Sequence, residues 1–352
     1  MHMSDALISP VIGGLMWAAS VGSAAICARS VNRPLGLDPA QTHKLPLMGV
    51  TGAFIFAAQM INFSIPGTGS SGHLGGGMIL AALLGPQAGF LVMGAVLLIQ
   101  ALFFADGGLL AFGANWFNLG FMTCFIAYPL IYQKIVSRGS SPRKIATGAI
   151  LASVVGLQLG AIGVSIETLV SGQTMLPPGA FLMAMLPIHL AIGLVEGVVT
   201  ASVLVFIAKA RPEILAGTKA SDAAGRMSWK QTVVIIGILA IVAGALLSSF
   251  ASTSPDGLEW SVERSASSGT LAGEASPSAL HRFFATLQEK LAILPDYGFR
   301  KDTREPAAAG TSLVDPGTSV SGLVGASIVL VSVTGIGLLV RRLVSLRRRR
   351  NP

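Results

Sequence analysis

Nine apolar segments run along this chain, and they limit its fold more than any other feature of the sequence. Eight are long, at roughly 8–28, 46–63, 87–105, 110–132, 144–170, 180–208, 231–250 and 321–340, and a short one lies at 74–85. A helix of about 20 apolar residues crosses the hydrocarbon core of a bilayer. Only 11% of the residues are charged, whereas a soluble domain carries about 25%. The sequence therefore predicts an all-α integral membrane protein, with about seven transmembrane helices in a first unit and two in a C-terminal unit.

The basic residues predict how the chain is oriented. Of the 24 Lys and Arg residues, 18 fall on one face, in the loops 29–45, 133–143 and 209–230 with their edges and in the C-terminal tail. Cytoplasmic loops carry such an excess, and long outer segments are exempt from the rule. We therefore expect a cell inner membrane protein with its N-terminus outside and its C-terminus in the cytoplasm. Topology then accounts for the net charge of +8, and no nucleic-acid partner is predicted.

Composition also divides the chain along its length. A polar linker rich in Ala and Gly is predicted at 211–230, between a membrane unit at 1–210 and a two-helix unit at 231–352. The second unit contains an outward segment at 251–320, which we interpret as a loop. Its small-residue stretch at 265–279 is predicted to be flexible.

The chain opens with Met1-His2, a pair that can chelate a metal ion. The α-amine of Met1, the backbone nitrogen of His2 and the His2 imidazole can all turn towards one ion, and nitrogen donors in a square plane suit Ni(II) or Cu(II). Because no basic region or cleavage site precedes the first apolar run, we expect these residues to remain in the mature chain. A histidine also occurs at this place by chance, so the pair alone indicates little.

His73 is the second candidate ligand. It lies where an outward loop enters the short apolar segment, with Gly72 before it and Gly75 after it. Glycines allow the backbone to approach an ion closely. The alternative interpretation is a histidine hydrogen-bonded at the start of a helix.

Other polar residues lie near the same outer face or within the apolar segments. Asp106, Asn115 and Asn118 form a group for which a supporting role beside a metal site is one interpretation, and hydrogen bonding between helices is the other. Glu167, His189 and Glu196 are the ionisable residues deepest in apolar segments, and such residues are candidates for function. They favour either a proton relay in a secondary transporter of a metal ion or small solute, or buried structural contacts. The sequence contains no Walker loop or catalytic triad, so we predict a non-enzyme.

Four motifs resemble a known family. They are, in order, MHMSDALISP, IPGTGSSGHLGGG, ALFFADGGLLAFGANWFN and LPIHLAIGLVEG. Together they resemble the substrate-specific component of nickel and cobalt energy-coupling-factor (ECF) transporters, the NikM/CbiM family, over about 1–210. The remainder, with PDGLEWS at 255–261 and PDYGF at 295–299, resembles the small NikN/CbiN component, so the whole chain resembles a fused NikMN protein.

This resemblance implies a site and partners. The family's metal ligands are the N-terminal amine, the backbone nitrogen and imidazole of the second residue, and a histidine after the second helix, which correspond here to Met1, His2 and His73. The resemblance implies high-affinity capture of Ni(II) or Co(II) as transported substrate. A membrane coupling protein (the T component) and a cytoplasmic ATPase (the A component) are the implied partners. Nickel against cobalt stays open, with nickel favoured by the fused second unit.

Overall fold

A computed structural model describes residues 2–35, 44–137, 141–215, 228–266, 277–299 and 316–350. In the first unit the helices are α1 (Pro10–Leu35), α2 (Lys44–Gln59), α3 (Gly77–Leu84), α4 (Pro86–Phe104), α5 (Phe112–Val136), α6 (Pro142–Ser171) and α7 (Pro178–Ala210). In the second unit they are α8 (Trp229–Phe250), α9 (Gly257–Ala266), α10 (Ala279–Leu291) and α11 (Pro316–Arg350). The all-α class is thereby confirmed.

Seven of these helices are long and apolar enough to cross a membrane within the described part of the chain. They are α1, α4, α5, α6, α7, α8 and α11. The two other predicted segments form shorter helices, and α3 has only eight residues, all of them buried. Gly76 and Gly85, with φ of 76° and 82°, bound α3 on either side. Glycine adopts such left-handed angles without steric cost, so the chain breaks here into a half-helix enclosed by protein, as non-helical backbone at membrane depth requires.

Small residues bring α6 and α7 into close contact. A Cβ atom at Gly197 would lie 2.7 Å from the Cα atom of Ile150, and one at Gly193 would lie 3.0 Å from the Cα atom of Val154. Small side chains allow membrane helices to approach to this distance. The close packing of α6 against α7 therefore fixes the position of the polar residues on α7.

The segment 251–320 of the second unit, which is predicted to be an outward loop and is called the outward segment below, contains regular structure in its described part. It contains α9, α10 and a short 3₁₀ turn at Pro295–Tyr297. Asp256 caps the start of α9, because its Oδ1 accepts hydrogen bonds from the backbone N–H of Leu258 and Glu259 at 2.8 Å each. Of the stretch predicted to be flexible, 267–276 lie outside the described residues, as do 216–227 of the predicted linker.

A small hairpin precedes α3 and was not predicted. Strands β1 (Phe63–Ile65) and β2 (Ser70–Gly72) pair antiparallel. Gly67 and Gly69 form the turn, with φ of 77° and 76°. Residues other than glycine rarely adopt such backbone angles. The hairpin delivers His73 to the end of the bundle where the N-terminal segment lies.

Candidate metal centre

The N-terminal segment is fixed at Met3 by both of its main-chain polar groups. The Met3 N–H donates to Asn115 Oδ1 at 2.7 Å, and the Met3 carbonyl accepts from Asn115 Nδ2 at 3.0 Å and from the Gly108 N–H at 2.9 Å. The Met3 side chain is fully buried. Position 3 is therefore anchored, and His2 lies next to that anchor.

The turn at 106–108 is shaped to receive this segment. Gly107 has a φ of 78°, and a Cβ atom there would lie 3.4 Å from His2 Cβ. A Cβ atom at Gly108 would overlap Asp5 Oδ1 and the Asp5 backbone nitrogen. Asp5 Oδ1 also accepts a hydrogen bond from the Ala111 N–H at 3.0 Å. The backbone approach that the N-terminus requires is thus available only to glycine.

Glu196 positions the glycine-rich loop that carries His73. Its Oε2 accepts from the Gly75 N–H at 2.8 Å and its Oε1 from the Gly76 N–H at 3.1 Å. His73 Nδ1 lies 3.1 Å from the Leu74 carbonyl oxygen and donates to it. A carbonyl that accepts from one ring nitrogen is the usual support for a histidine that ligates through the other, so this contact is compatible with metal ligation through Nε2.

The two predicted imidazoles meet at this end of the bundle. The ring centroids of His2 and His73 are 4.9 Å apart, and the ring planes are tilted by 43°. Both rings line a cavity of about 740 Å³. His2 Nε2 is buried without a hydrogen-bond partner among the described residues. The rings are close enough for one ion to contact both.

Carboxylates surround the two rings. Asp106 Oδ1 accepts from His2 Nδ1 at 2.7 Å, and Asp106 Oδ2 accepts from the Tyr297 hydroxyl. Burial alone would raise the pKa of Asp106, but the charge and hydrogen bond of His2, followed by the Tyr297 hydrogen bond, lower it to about 2. Burial, together with neighbouring positive charge that includes His2, lowers the pKa of His73 to about 3. The site therefore presents an ionised carboxylate and a neutral His73 imidazole, a combination suited to a cation.

The outward segment of the second unit covers the His73 hairpin. The Ser71 N–H donates to the Pro255 carbonyl at 2.8 Å, and Trp260 Nε1 donates to the Thr68 carbonyl at 2.9 Å. Asp256 lines the cavity with the two histidines. Burial would raise the pKa of the Asp256 carboxyl, but neighbouring positive charge lowers it below its ordinary value. Asp256 and Tyr297 belong to the PDGLEWS and PDYGF motifs, but no pattern in the sequence singles them out as site residues.

Of the other predicted site residues that the structure describes, some contact the N-terminal segment and the rest lie deeper in the bundle. Met1 lies outside the described residues, whereas Asp106 and Asn115 contact the N-terminal segment directly. Asn118 lies elsewhere, where its Nδ2 donates to Glu167 Oε2 at 2.7 Å between helices α5 and α6. His189 Nδ1 contacts the Met185 carbonyl oxygen at 2.8 Å, and the His189 ring shares a small cavity of about 10 Å³ with His73.

Side chains alone do not complete a ligand set. Within the described ranges, no three His, Cys, Asp or Glu side chains converge in a way that would hold an ion. A centre built on His2 and His73 therefore needs donors beyond side chains, which is consistent with the predicted use of backbone and amine nitrogens.

A bundle of apolar spanning helices, with two imidazoles and ionised carboxylates at one end, defines a polytopic membrane protein that handles a cation. The chain belongs to the CbiM family, described as the cobalt uptake substrate-specific transmembrane region, which matches residues 2–214. A PDGLE domain matches residues 230–342. Family membership makes the chain a metal-transport component of the membrane and not an enzyme.

Similar proteins carry matching descriptions. The fused nickel transport protein NikMN of Rhodobacter capsulatus is 33% identical, over 96% of this chain and 96% of its own. A putative metal transport protein of Haloquadratum walsbyi is 36% identical, over 61% of this chain and 93% of its own. A crystal structure of a transition metal transporter superposes with a TM-score of 0.52 at 32% identity, covering 60% of this chain and 95% of that one.

Proposed function

We propose that this chain captures Ni(II) or Co(II) with high affinity at the outer face of the membrane, as the substrate-binding subunit of an ATP-driven ECF importer. The metal is held by the amine of Met1, by the backbone nitrogen and imidazole of His2, and by the imidazole of His73. The observation that carries the proposal is the 4.9 Å separation of the His2 and His73 rings. The two rings come from segments that are 71 positions apart in sequence and are each held by their own hydrogen bonds.

The donor chemistry supports a late first-row metal. Imidazole nitrogen suits nickel, and square-planar nitrogen ligation suits Ni(II) in particular. The relative from Rhodobacter capsulatus, which matches nearly the full chain, is named for nickel, whereas the family description names cobalt uptake. We favour nickel, because the match that includes the second unit is to a nickel protein.

We propose that the end of the bundle with the site faces outward. The N-terminal segment, the 106–108 turn, the His73 hairpin and the 252–256 segment meet at one end of the bundle. The basic residues favour the other end for the cytoplasm. An ion arriving from outside the cell therefore reaches His2 and His73 first.

Coupling to partners is proposed for helix α1. Gly14 and Gly22 of α1 have nothing within 4 Å of a Cβ built on either of them, and Val11, Leu15 and Ile26 are exposed. Gly14, Ala18 and Gly22 follow one another at intervals of four residues, and small residues at this spacing promote helix association in membranes. Among the residues that the structure describes, no other helix covers this face, so we assign it to the T component, with the ATPase A component acting from the cytoplasm.

The alternative is a proton-coupled secondary transporter that uses Glu167, His189 and Glu196. In the structure these residues bond to three different neighbours, namely Asn118, the Met185 carbonyl, and the glycine loop at Gly75 and Gly76. This arrangement favours structural roles over a continuous relay. Metal uptake by cells that contain this chain and no ATPase partner would support the alternative.

The test is the metal content of the full chain, purified with any tag at its C-terminus. We expect the unaltered protein to retain Ni(II) or Co(II), and His2→Ala and His73→Ala each to weaken binding by orders of magnitude. His43→Ala is the control, since His43 lies in a loop predicted to be cytoplasmic. Equal loading of all four proteins would contradict the proposed site.

A further inference from the structure

Asp106 joins a candidate ligand of the first unit to the second unit. One of its oxygens accepts from His2 Nδ1 at 2.7 Å, and the other accepts from the Tyr297 hydroxyl. The side chain of His2 is 5% exposed to solvent, and the side chain of Asp106 is 25% exposed. The hydrogen bonds form a line from His2 through Asp106 to Tyr297.

The nitrogen that Asp106 contacts is the one that a chelate at His2 requires. A ring that includes the backbone nitrogen of a histidine and its own imidazole closes through Cα, Cβ, Cγ and Nδ1. The Nε2 atom points away from that backbone and cannot close it. Nδ1 has room for one proton or one metal ion, so it cannot donate to Asp106 and ligate an ion at the same time.

This geometry differs from the usual support of a metal-bound histidine. A carboxylate normally accepts from the nitrogen that does not bind the metal, and so orients the ring. Here Asp106 accepts from the nitrogen that the chelate needs. The contact therefore competes with metal binding.

We propose that the Asp106–Tyr297 pair is a latch, which holds His2 Nδ1 away from the ion until the His2–Asp106 hydrogen bond opens. The Nδ1 proton then passes to solvent water, and the nitrogen lone pair that it leaves binds the ion. The outward segment of the second unit thereby controls loading of the first. The inference rests on the proposed ligand set of Met1, His2 and His73.

The backbone at Tyr297 is strained and is held in place by its neighbours. Asp296 and Tyr297 have φ of 51° and 58°, and this left-handed region is sterically unfavourable for residues other than glycine. Such outliers persist where packing enforces them, and they cluster at clamps and switches. The Tyr297 ring stacks on Phe104 at 5.1 Å, and its carbonyl accepts from the Ser321 hydroxyl of α11 at 2.9 Å. The first unit and α11 thus hold the latch from two sides.

A latch predicts a particular rate law for metal binding. If opening precedes ligation, the observed association rate of the full chain with Ni(II) should level off as the metal concentration rises. The plateau equals the opening rate, so Co(II) should give the same plateau as Ni(II). The attraction between Asp106 and the incoming cation affects how steeply the rate rises at low metal concentration, but it does not affect the plateau. A change in the plateau therefore distinguishes a latch from a simple effect of charge.

The experiment is stopped-flow mixing of Ni(II) and Co(II) with the full chain, followed by absorbance of the metal centre. We expect Asp106→Asn to raise the plateau roughly ten-fold or more, because a charge-assisted hydrogen bond is replaced by a weaker neutral one. Tyr297→Phe should raise it as well, but should have no effect in the Asp106→Asn background. Asp296→Asn is the matched control, since it removes a carboxylate from the same cavity and asparagine tolerates a positive φ.

The outcomes separate the two proposals. A rate that rises linearly with metal, plateaus that differ between Ni(II) and Co(II), or an unchanged plateau in Asp106→Asn would each overturn the latch while metal binding stands. Failure of the unaltered chain to bind either metal would overturn the proposed function itself. An equal rise of the plateau in Asp296→Asn would also reject the latch, because it would assign the effect to general charge.

Discussion

The side-chain amide of Asn115 pairs with the backbone of Met3 in the way that two β-strands pair. Its Nδ2 donates to the Met3 carbonyl, and its Oδ1 accepts from the Met3 N–H. Both residues are buried. The N-terminal segment is therefore fixed to helix α5 at position 3. Everything proposed for the amine and imidazole ligands depends on this fixed point.

Replacing Asn115 by alanine should release the N-terminal segment. The buried Met3 N–H loses its acceptor, at a cost of about 1–3 kcal/mol, and the Met3 carbonyl keeps only its hydrogen bond from the Gly108 N–H. We expect Ni(II) affinity, measured by competition with a chelator, to fall at least ten-fold. Asn118→Ala is the matched control, because Asn118 bonds to Glu167 and not to the N-terminal segment. It should lower the melting temperature and leave affinity unchanged, and a loss of affinity in both variants would contradict this division of roles.

The close approach at Gly108 gives a second prediction. A methyl group there would overlap Asp5, including its backbone nitrogen, so Gly108→Ala should displace the N-terminal segment and reduce metal loading. The helices do not depend on this contact, so thermal stability should change little. Gly14→Ala, where a Cβ meets nothing within 4 Å, should bind metal normally and gain about 0.5–1 kcal/mol of helix stability. Normal metal loading by Gly108→Ala would show that the segment does not need its place in the turn.

Glu196 should act through the backbone of the His73 loop. Glu196→Ala leaves the N–H groups of Gly75 and Gly76 without their acceptor, and we expect a loss of about 1–3 kcal/mol of stability for each. Metal affinity should fall as well, because the loop that orients His73 is loosened. Glu196→Gln retains one acceptor oxygen and should recover part of both losses, because its amide nitrogen cannot accept from the second N–H group. A glutamine variant that binds metal normally and yet takes up none would instead favour the proton relay.

The pKa of His73 predicts how acid affects the site. Because the pKa is lowered from its ordinary value of 6.5 to about 3, the folded chain binds fewer protons here than the unfolded chain between these two pH values. The contribution of His73 to the free energy of unfolding should therefore be fully present above pH 6.5, fall as pH drops through this window, and be lost near pH 3. Ring NMR signals of His73 should stay those of the neutral imidazole from pH 7 down to about pH 5. A midpoint near pH 6.5 would contradict the buried, neutral ligand.

Much of the fold could be read from the sequence because apolar runs report membrane helices directly. The short apolar segment at 74–85 contains the half-helix α3, and the sequence shows that it is too short to span a membrane. The outward helices α9 and α10 were missed, because they are polar and short and were interpreted as a loop. Their signals were the capping residues, Asp256 for α9 and Ser278 for α10, which stabilise the first turn of a helix.

The candidate site was only partly predictable from the residues. His2 and His73 were nominated for their donor chemistry, although spacing alone left His73 undecided. Asn115 and Asn118 are three apart and were grouped together, yet helix α5 widens into a π-helix from Phe117 and Asn118 faces Glu167 instead. The contact of Tyr297 with Asp106 spans 191 positions, and no local pattern reports a pairing at such a distance.

The central claim is that the ion is held by the free amine of Met1 together with His2 and His73. The direct test is the nickel and cobalt content of the purified full chain, compared with a form that carries one extra residue before Met1. The extension lies outside the membrane by our orientation, so the fold should survive, and a melting curve checks this. We predict that the extended form loses its metal while it melts like the unaltered chain. Equal nickel and cobalt loading in the two forms would contradict the proposed site.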